Sequence, residues 1–233
     1  MASPTQSPPT LETLKAQNFD RAEPPVYRLL RRVTVWLTLA SIPTPITPNQ
    51  ITLLGNAISI GAAVLAATGD PRWLPTAGIA LLIGYVLDCM DGELARAREQ
   101  SSRLGIHLEH LGNWVLVGVL QMGVAYGAYR ASGDATFLEL GMLSLFGWYG
   151  FYFFFLQAQS WVAGVDAFGA LRRFSRWLVF VMPLDENLFI LGTLASSLRE
   201  LAVVSAAFGV GLFAIALVLF LIPAARLHRQ GSW

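Results

Sequence analysis

The sequence predicts an all-α protein that is embedded in a membrane, on the grounds of its composition, its apolar stretches and its charge distribution. The chain has 233 residues, of which 55% are hydrophobic and only 13% are charged. This content is too apolar for a soluble domain, and the chain is too long for a single membrane span. We therefore expect a polytopic membrane protein.

Six apolar stretches are candidates for crossing a hydrocarbon core of about 30 Å. These predicted spans are 51–68, 73–87, 113–129, 138–161, 184–198 and 201–222. The fifth is short and contains Asp185 and Glu186 close to its start. We expect that span to lie near the cytoplasmic boundary of the membrane or beside a polar cavity.

The positions of Lys and Arg predict the orientation, because positive residues are retained in cytoplasmic loops. With six spans and both termini inside, thirteen of the sixteen fall on the cytoplasmic side. These are Lys15, Arg21, Arg28, Arg31, Arg32, Arg96, Arg98, Arg103, Arg172, Arg173, Arg176, Arg226 and Arg229. Only Arg72, Arg130 and Arg199 fall outside. We therefore expect both termini, and the segment 88–113, to face the cytoplasm.

Two segments precede the first span. Residues 1–25 are rich in Pro, Ser and Thr and contain no apolar run, so we expect a disordered tail. Residues 26–47 comprise a predicted helix over 26–42 and a Pro-rich linker. The six-helix membrane domain would then occupy 48–233.

The predicted helix over 26–42 is amphipathic. Its apolar residues recur at helical spacing, whereas its arginines occupy another sector, as is typical of a helix at the membrane surface with arginines among the headgroups. The apolar residues are Tyr27, Leu30, Val33, Trp36 and Leu37, and the arginines are Arg28, Arg31 and Arg32. An ordinary solvated helix is the alternative interpretation.

The start of the first span contains Pro48, Asn49 and Thr52. Proline is favoured in the first turn of a helix, and Asn or Thr can cap the free amides there. We therefore expect Asn49 or Thr52 to cap this helix.

Acidic and small residues follow the second span with a defined spacing. Asp88 and Asp91 are three residues apart at its end, and Glu109 and Asn113 are four apart at the start of the third span. Each pair shares a helix face, and a short connection would bring the two faces together. Carboxylates this close repel each other unless a cation neutralises them. Their hard oxygen atoms suit Mg²⁺ or Mn²⁺, which would in turn bind a diphosphate.

The same segment contains Gly92, Ala95, Arg96 and Gly105. Residues without bulk allow a nucleotide to approach the backbone, and Arg96 could neutralise phosphate charge. The complete pattern, D-x2-D-G-x2-A-R-x8-G-x3-E-x3-N, resembles the signature of the CDP-alcohol phosphatidyltransferase family. That signature has aspartates at the positions of Glu109 and Asn113.

The resemblance implies a homodimeric, six-helix membrane enzyme that transfers a substituted phosphate from a CDP-linked donor to an acceptor hydroxyl and releases CMP. It implies that Asp88, Asp91, Glu109 and Asn113 hold the divalent metal, and that position 113 supplies the base. The P-N-x-x-T start of the first span also resembles the family. Expected donor-binding residues are Asn49, Thr52, Gly92, Ala95, Arg96 and Gly105.

Asn113 leaves three interpretations of the site open, because an amide cannot accept a proton in the relevant pH range. Another group, such as His110, Glu109 or His107, could act as the base. Alternatively, the acceptor could already be ionised, as a phosphomonoester is. The third possibility is a degenerate relative that binds a CDP-linked ligand without turnover.

Arg172, Arg173 and Arg176 form a second basic segment, which could bind lipid phosphates in general or an acceptor phosphate in particular. The expected partners are therefore a CDP-linked donor, a membrane lipid and a second copy of the chain, with no nucleic acid. A membrane transporter or structural protein whose acidic helix ends bind ions or lipids is the alternative outside the enzyme class.

Overall fold

The computed structural model describes residues 10–19, 25–161 and 166–230, and the regular secondary structure in these ranges is entirely helical. Eight α-helices are present in the described chain, with a short 3₁₀ helix at Asp166–Phe168 before the seventh. They are α1 Leu11–Phe19, α2 Pro25–Ser41, α3 Pro48–Ala67, α4 Leu74–Ala97, α5 Arg103–Ser132, α6 Thr136–Trp161, α7 Gly169–Leu194 and α8 Leu198–Arg229. The predicted all-α class is confirmed.

Four helices of the described chain, α3, α4, α5 and α8, are long and apolar enough to cross a membrane. They correspond to the first, second, third and sixth predicted spans, to within one residue at the end of α3 and the start of α4. The fourth, 138–161, lies in α6, of which some side chains fall outside the described residues. The four long apolar helices are those of an integral membrane protein.

The fifth predicted span, 184–198, has incorrect boundaries. Helix α7 begins at Gly169 and ends at Leu194, and Ser196 then adopts a φ of 55° in the turn before α8. Apolar composition marks only part of a helix, because backbone hydrogen bonding continues through polar residues. For the same reason α5 begins at Arg103, ten residues before its apolar run, and Glu109 lies within it.

The chain divides into two compact units, Met1–Ser59 with Ala80–Leu116 and Ile60–Ile79 with Val117–Trp233. In the second unit, α6 and α8 pack closely around a core that includes Trp148, Phe151 and Leu212. A Cβ atom on Gly147 would lie 2.4 Å from the backbone of Gly209, so the absence of a side chain permits this contact. Small residues commonly allow membrane helices to approach in this way.

In the first unit, α1 packs against α2. This differs from the expected disordered tail over the residues of α1, while residues 1–9 and 20–24 lie outside the described chain. Leu14 is fully buried and Asn18 is 1% exposed. Tertiary contacts therefore stabilise α1 despite its low apolar content, and composition alone does not reveal such contacts.

Helix α2 presents an apolar surface and buries polar groups. Leu29, Val33 and Trp36 are more than half exposed, whereas Thr34 and Thr38 are fully buried. The expectation that Arg31 would lie among headgroups is wrong: it is 5% exposed and its Nη1 lies 2.7 Å from Oε1 of Glu93 on α4. A buried carboxylate determines its position, which helical periodicity alone could not predict.

Candidate functional site

A cavity of about 280 Å³ lies in the first unit, where the beginnings of α3 and α5 meet the C-terminal part of α4. Helix α3 contributes Pro48, Asn49 and Thr52, and α4 contributes Asp91, Gly92, Ala95 and Arg96. The α4–α5 connection and the first turns of α5 contribute Gln100, Ser101, Ser102, Gly105, Ile106 and Glu109. The structure therefore brings together every expected donor-binding residue and two of the expected metal ligands.

Two carboxylates line this cavity from different helices. Asp91 is 4% exposed and accepts a hydrogen bond from the Oγ1 hydroxyl of Thr52. Glu109 is exposed on α5 and lines the same cavity. This hydrogen bond links α3 to α4 and positions one carboxylate oxygen of Asp91.

Thr52 and Asn49 do not cap α3 as expected. Instead, Thr47 and Gln50 form a capping box, in which Gln50 N donates to Thr47 Oγ1 at 3.3 Å and Thr47 N donates to Gln50 Oε1 at 2.9 Å. This reciprocal cap leaves Asn49 and Thr52 available at the cavity.

Arg96 is held beside the cavity by contacts with two helices. Its Nη2 donates to Oδ1 of Asn18 in α1 at 2.8 Å. A Cβ atom on Gly92 would lie 3.1 Å from Arg96 Nη1. Because position 92 has no side chain, the guanidinium can fold back along α4, one turn from its own Cα.

Gly105 allows a similar close approach at the start of α5. A Cβ atom there would lie 3.1 Å from Oδ1 of Asn49. The N–H of Gly105 donates to Ser102 Oγ at 3.0 Å, which caps the first turn of α5. Asn49 therefore lies next to the N-terminus of a second helix.

The remaining expected residues of the motif lie away from the cavity lining. Asp88 and Asn113 are half-buried and His110 is exposed, and none of them lines the cavity. Asn113 follows Glu109 by one turn on the same face of α5. Its neighbour Gly112 faces α3, since a Cβ atom there would lie 2.1 Å from Nδ2 of Asn56.

The oxygen atoms that line the cavity are of the type that binds hard metal ions. Asp91, Glu109 and Thr52 supply the carboxylate and hydroxyl oxygens that Mg²⁺ and Mn²⁺ prefer. Within the described residues, however, no three His, Cys, Asp or Glu side chains are gathered closely enough to hold a metal ion. The types of oxygen atom therefore fit a divalent metal, although the acidic side chains do not lie close together.

The expected acceptor-binding arginines belong to the second unit, in the first turns of α7. Arg173 is exposed, and the side chains of Arg172 and Arg176 lie outside the described residues.

Several polar residues around this site were not expected from the sequence. Glu93 occupies a variable position of the motif, and Asn18 lies in the tail expected to be disordered. Arg98 donates to the carbonyl oxygens of residues 41, 42, 44 and 46, which fixes the linker before α3 to the end of α4. The capping pair Thr47 and Gln50 was readable from its three-residue spacing.

Comparison with known proteins identifies relatives of this chain. Residues 45–229 match the CDP-alcohol phosphatidyltransferase family. The chain is 34% identical to archaetidylinositol phosphate synthase of Pyrococcus horikoshii over 52% of its own length and 61% of the relative's. It is 26% identical to phosphatidylinositol phosphate synthase of Mycobacteroides abscessus, over 65% and 67% of the two lengths.

A third relative is the bifunctional IPC transferase and DIPP synthase of Thermococcus kodakarensis, at 30% identity over 44% of this chain and 22% of the relative. The family match covers well over half of the chain and includes every residue of the cavity. The chain belongs to the CDP-alcohol phosphatidyltransferase family.

Proposed function

We propose that this protein is a metal-dependent phosphotransferase that moves a substituted phosphate from a CDP-linked donor to an acceptor and releases CMP. The observation that carries the proposal is a cavity that combines Arg96, Asp91 and Glu109 with the beginnings of two helices. Family membership supports the same reaction class, and the named relatives are synthases and transferases.

The cavity suits the diphosphate of a CDP-linked donor. The N-termini of α3 and α5 lie at the cavity and carry partial positive charge, which favours anions. Arg96 adds a full positive charge that can donate hydrogen bonds to phosphate oxygens. Gly92, Ala95 and Gly105 leave space near the backbone, while Asn49 and Thr52 supply polar groups.

We propose that the divalent metal, Mg²⁺ or Mn²⁺, would be held by Asp91 and Glu109 in the cavity. Its binding would draw in Asp88 and the side-chain carbonyl of Asn113, which do not line the cavity here. When bound, such an ion neutralises charge on the donor diphosphate and on the departing CMP. Asp91 is kept in place by Thr52, and Glu109 replaces the usual aspartate with its charge retained.

The reaction forms a bond between an acceptor oxygen and the donor phosphorus and breaks the bond from that phosphorus to the CMP oxygen. Asn113 cannot take the acceptor's proton. For a hydroxyl acceptor, His110 or Glu109 accepts it. A phosphomonoester acceptor needs no base, because its oxygen is already ionised at neutral pH.

An anionic acceptor is the substrate class we favour. Two relatives are named as synthases of inositol phosphate lipids, so phosphate-bearing compounds occur in the reactions of this family. The arginines at 172, 173 and 176 would bind the acceptor phosphate. A non-catalytic relative that only binds the CDP-linked ligand is the second candidate, and Asn113 is the residue that favours it.

We further propose a six-span arrangement with both termini and the cavity on the cytoplasmic side, in a homodimer. The distribution of Lys and Arg along the sequence supports this orientation. The exposed Leu29, Val33 and Trp36 support a position for α2 at the membrane surface.

CMP release from a panel of CDP-linked donors tests the proposal. The assay combines the purified chain with Mg²⁺ or Mn²⁺ and either neutral alcohols or phosphomonoesters as acceptors. We expect turnover by the wild type, and a loss of about 10²-fold or more for Asp91→Asn, as is typical when a group that positions charge in an active site is removed.

Asn113→Asp distinguishes the two candidates. A catalytic wild type supports the transferase, and its preference between acceptors identifies the role of Asn113. Silence in the wild type with turnover gained in Asn113→Asp would contradict the catalytic proposal and support the binding protein. If neither the wild type nor Asn113→Asp releases CMP and neither binds CDP, the chain lacks the chemistry of the family.

A further inference from the structure

Glu93 is a fully buried acid within the motif that the proposed chemistry does not use. It lies two residues after Asp91 and three before Arg96 on α4, yet its side chain is 0% exposed and does not line the cavity. Burying a carboxylate is costly unless it is paired and hydrogen-bonded. The partners of Glu93 therefore indicate what its burial accomplishes.

Three side chains of α2 satisfy this carboxylate. Arg31 Nη1 and Thr34 Oγ1 each donate to Glu93 Oε1 at 2.7 Å, and Thr38 Oγ1 donates to Oε2 at 2.8 Å. Both threonines are fully buried. The three donors are spaced by three and four residues, so they form one polar stripe along α2 that faces Glu93.

This arrangement fixes both the rotation and the axial position of α4 relative to α2. The two carboxylate oxygens are bound by donors that extend over more than one helical turn, so a rotation or slide of α4 would break at least one bond. The residues of α4 that flank Glu93 line the cavity, namely Asp91, Gly92, Ala95 and Arg96. Any displacement of α4 would therefore shift the carboxylate and the guanidinium of the cavity together.

We infer that Glu93 is a positioning residue, which aligns the cavity-lining face of α4 by its charged hydrogen bonds to α2. The inference rests on the proposed function, since the aligned groups are those assigned to the CDP-linked donor. It also makes α2 part of the support of the donor site, although none of the described residues of α2 lines the cavity.

The test is the affinity of the purified full chain, in lipid nanodiscs, for CDP in the presence of Mg²⁺. Binding is measured well below the melting temperature of each variant. We expect Glu93→Gln to weaken CDP binding about tenfold, because small displacements of positioned groups have large effects on ligand recognition. Glu93→Asp, which keeps the charge, should recover part of this loss.

Glu139→Gln is the matched control, because it makes the same chemical change at an exposed acid of the second unit. It should bind CDP as the wild type does. A second test, Thr34→Val with Thr38→Val, keeps the ion pair and removes two donors. We expect about threefold weaker binding from the loss of two hydrogen bonds to the buried carboxylate.

Two results would overturn the inference without affecting the proposed function. If Glu93→Gln lowers the melting temperature but binds CDP with wild-type affinity, Glu93 has only a structural role. Should Glu93→Gln fail to fold, unchanged affinity in the double threonine variant leads to the same conclusion. Failure of the wild type to bind CDP would instead overturn the proposed function, and the positioning role with it.

Discussion

Two ion pairs of the same length lie in different surroundings in this protein. Arg31 and Glu93 are 2.7 Å apart with side chains 6% and 0% exposed, and Arg72 and Asp70 are also 2.7 Å apart but 86% and 28% exposed. The first pair joins helices through residues 62 positions apart, whereas the second lies within one turn. The distance between the charged atoms therefore does not indicate how much each pair contributes to stability.

The surroundings decide the contribution of each pair. Water and ions screen an exposed pair, and most such pairs contribute little to stability. A buried pair offsets a large desolvation cost, so removing one partner leaves an uncompensated charge. The buried pair in the first unit therefore specifies helix alignment, whereas the exposed pair in the loop between α3 and α4 orders a surface turn.

The largest expected effect follows from breaking the buried pair on one side. Arg31→Met should lower the free energy of unfolding by about 3–5 kcal/mol, because Glu93 stays buried without its cation. Denaturant titration in detergent micelles measures this change. Arg72→Met is the matched control and should have little effect; equal losses in both variants would contradict the difference between the two pairs.

A smaller effect is expected at the contact between α1 and the cavity. Asn18→Ala removes the acceptor for Arg96 Nη2 and should cost about 1.5–3 kcal/mol of stability, the range for hydrogen bonds to charged groups. It should also weaken CDP binding. Gln17→Ala deletes an exposed amide from the same helix and serves as the control. Full CDP affinity in Asn18→Ala would show that α1 does not orient Arg96.

Removing both charges of the buried pair sharpens the interpretation. Arg31→Met combined with Glu93→Met should be more stable than Arg31→Met alone, because apolar replacements often compensate for a lost buried pair. CDP binding should nevertheless remain weak, since alignment of α4 is lost. The same denaturant titration and CDP assay decide this, and additive losses of stability would argue against coupling between the two residues.

The smallest effect concerns the exposed pair. Hydrogen bonds from the Arg72 side chain and backbone lower the pKa of Asp70 to about 2, so Asp70 is ionised at neutral pH. In Arg72→Met its pKa should rise toward about 3.9, the ordinary value for Asp. NMR titration of the carboxyl carbon measures both values. An unchanged pKa in the variant would show that the pair does not persist in solution.

Much of the candidate site could be predicted from sequence. The spacing of Asp91, Gly92, Ala95 and Arg96 places these residues along one part of a helix, and a short connection brings Glu109 near. The cavity contains all of these residues. Local periodicity suffices for these residues because the segment from Asp91 to Glu109 is short.

The pairing of Arg31 with Glu93 could not be predicted in this way. An arginine on an amphipathic helix is usually solvated, and position 93 is variable in the motif. Only the packing of α2 against α4 shows that the two are partners. The helix α1 escaped prediction for a similar reason, since buried Leu14 and Asn18 stabilise it through tertiary contacts.

We propose that the cavity between α3, α4 and α5 binds the CDP part of a donor. The most direct test is the thermal stability of the solubilised protein with CDP and Mg²⁺. Saturating ligand at about 100 times its dissociation constant should add about 2.7 kcal/mol of stability to the wild type, seen as a higher melting temperature. Asp91→Asn should abolish this increase, whereas the exposed control Glu139→Gln should retain it; no increase in the wild type, or an equal increase in Asp91→Asn, would contradict the claim.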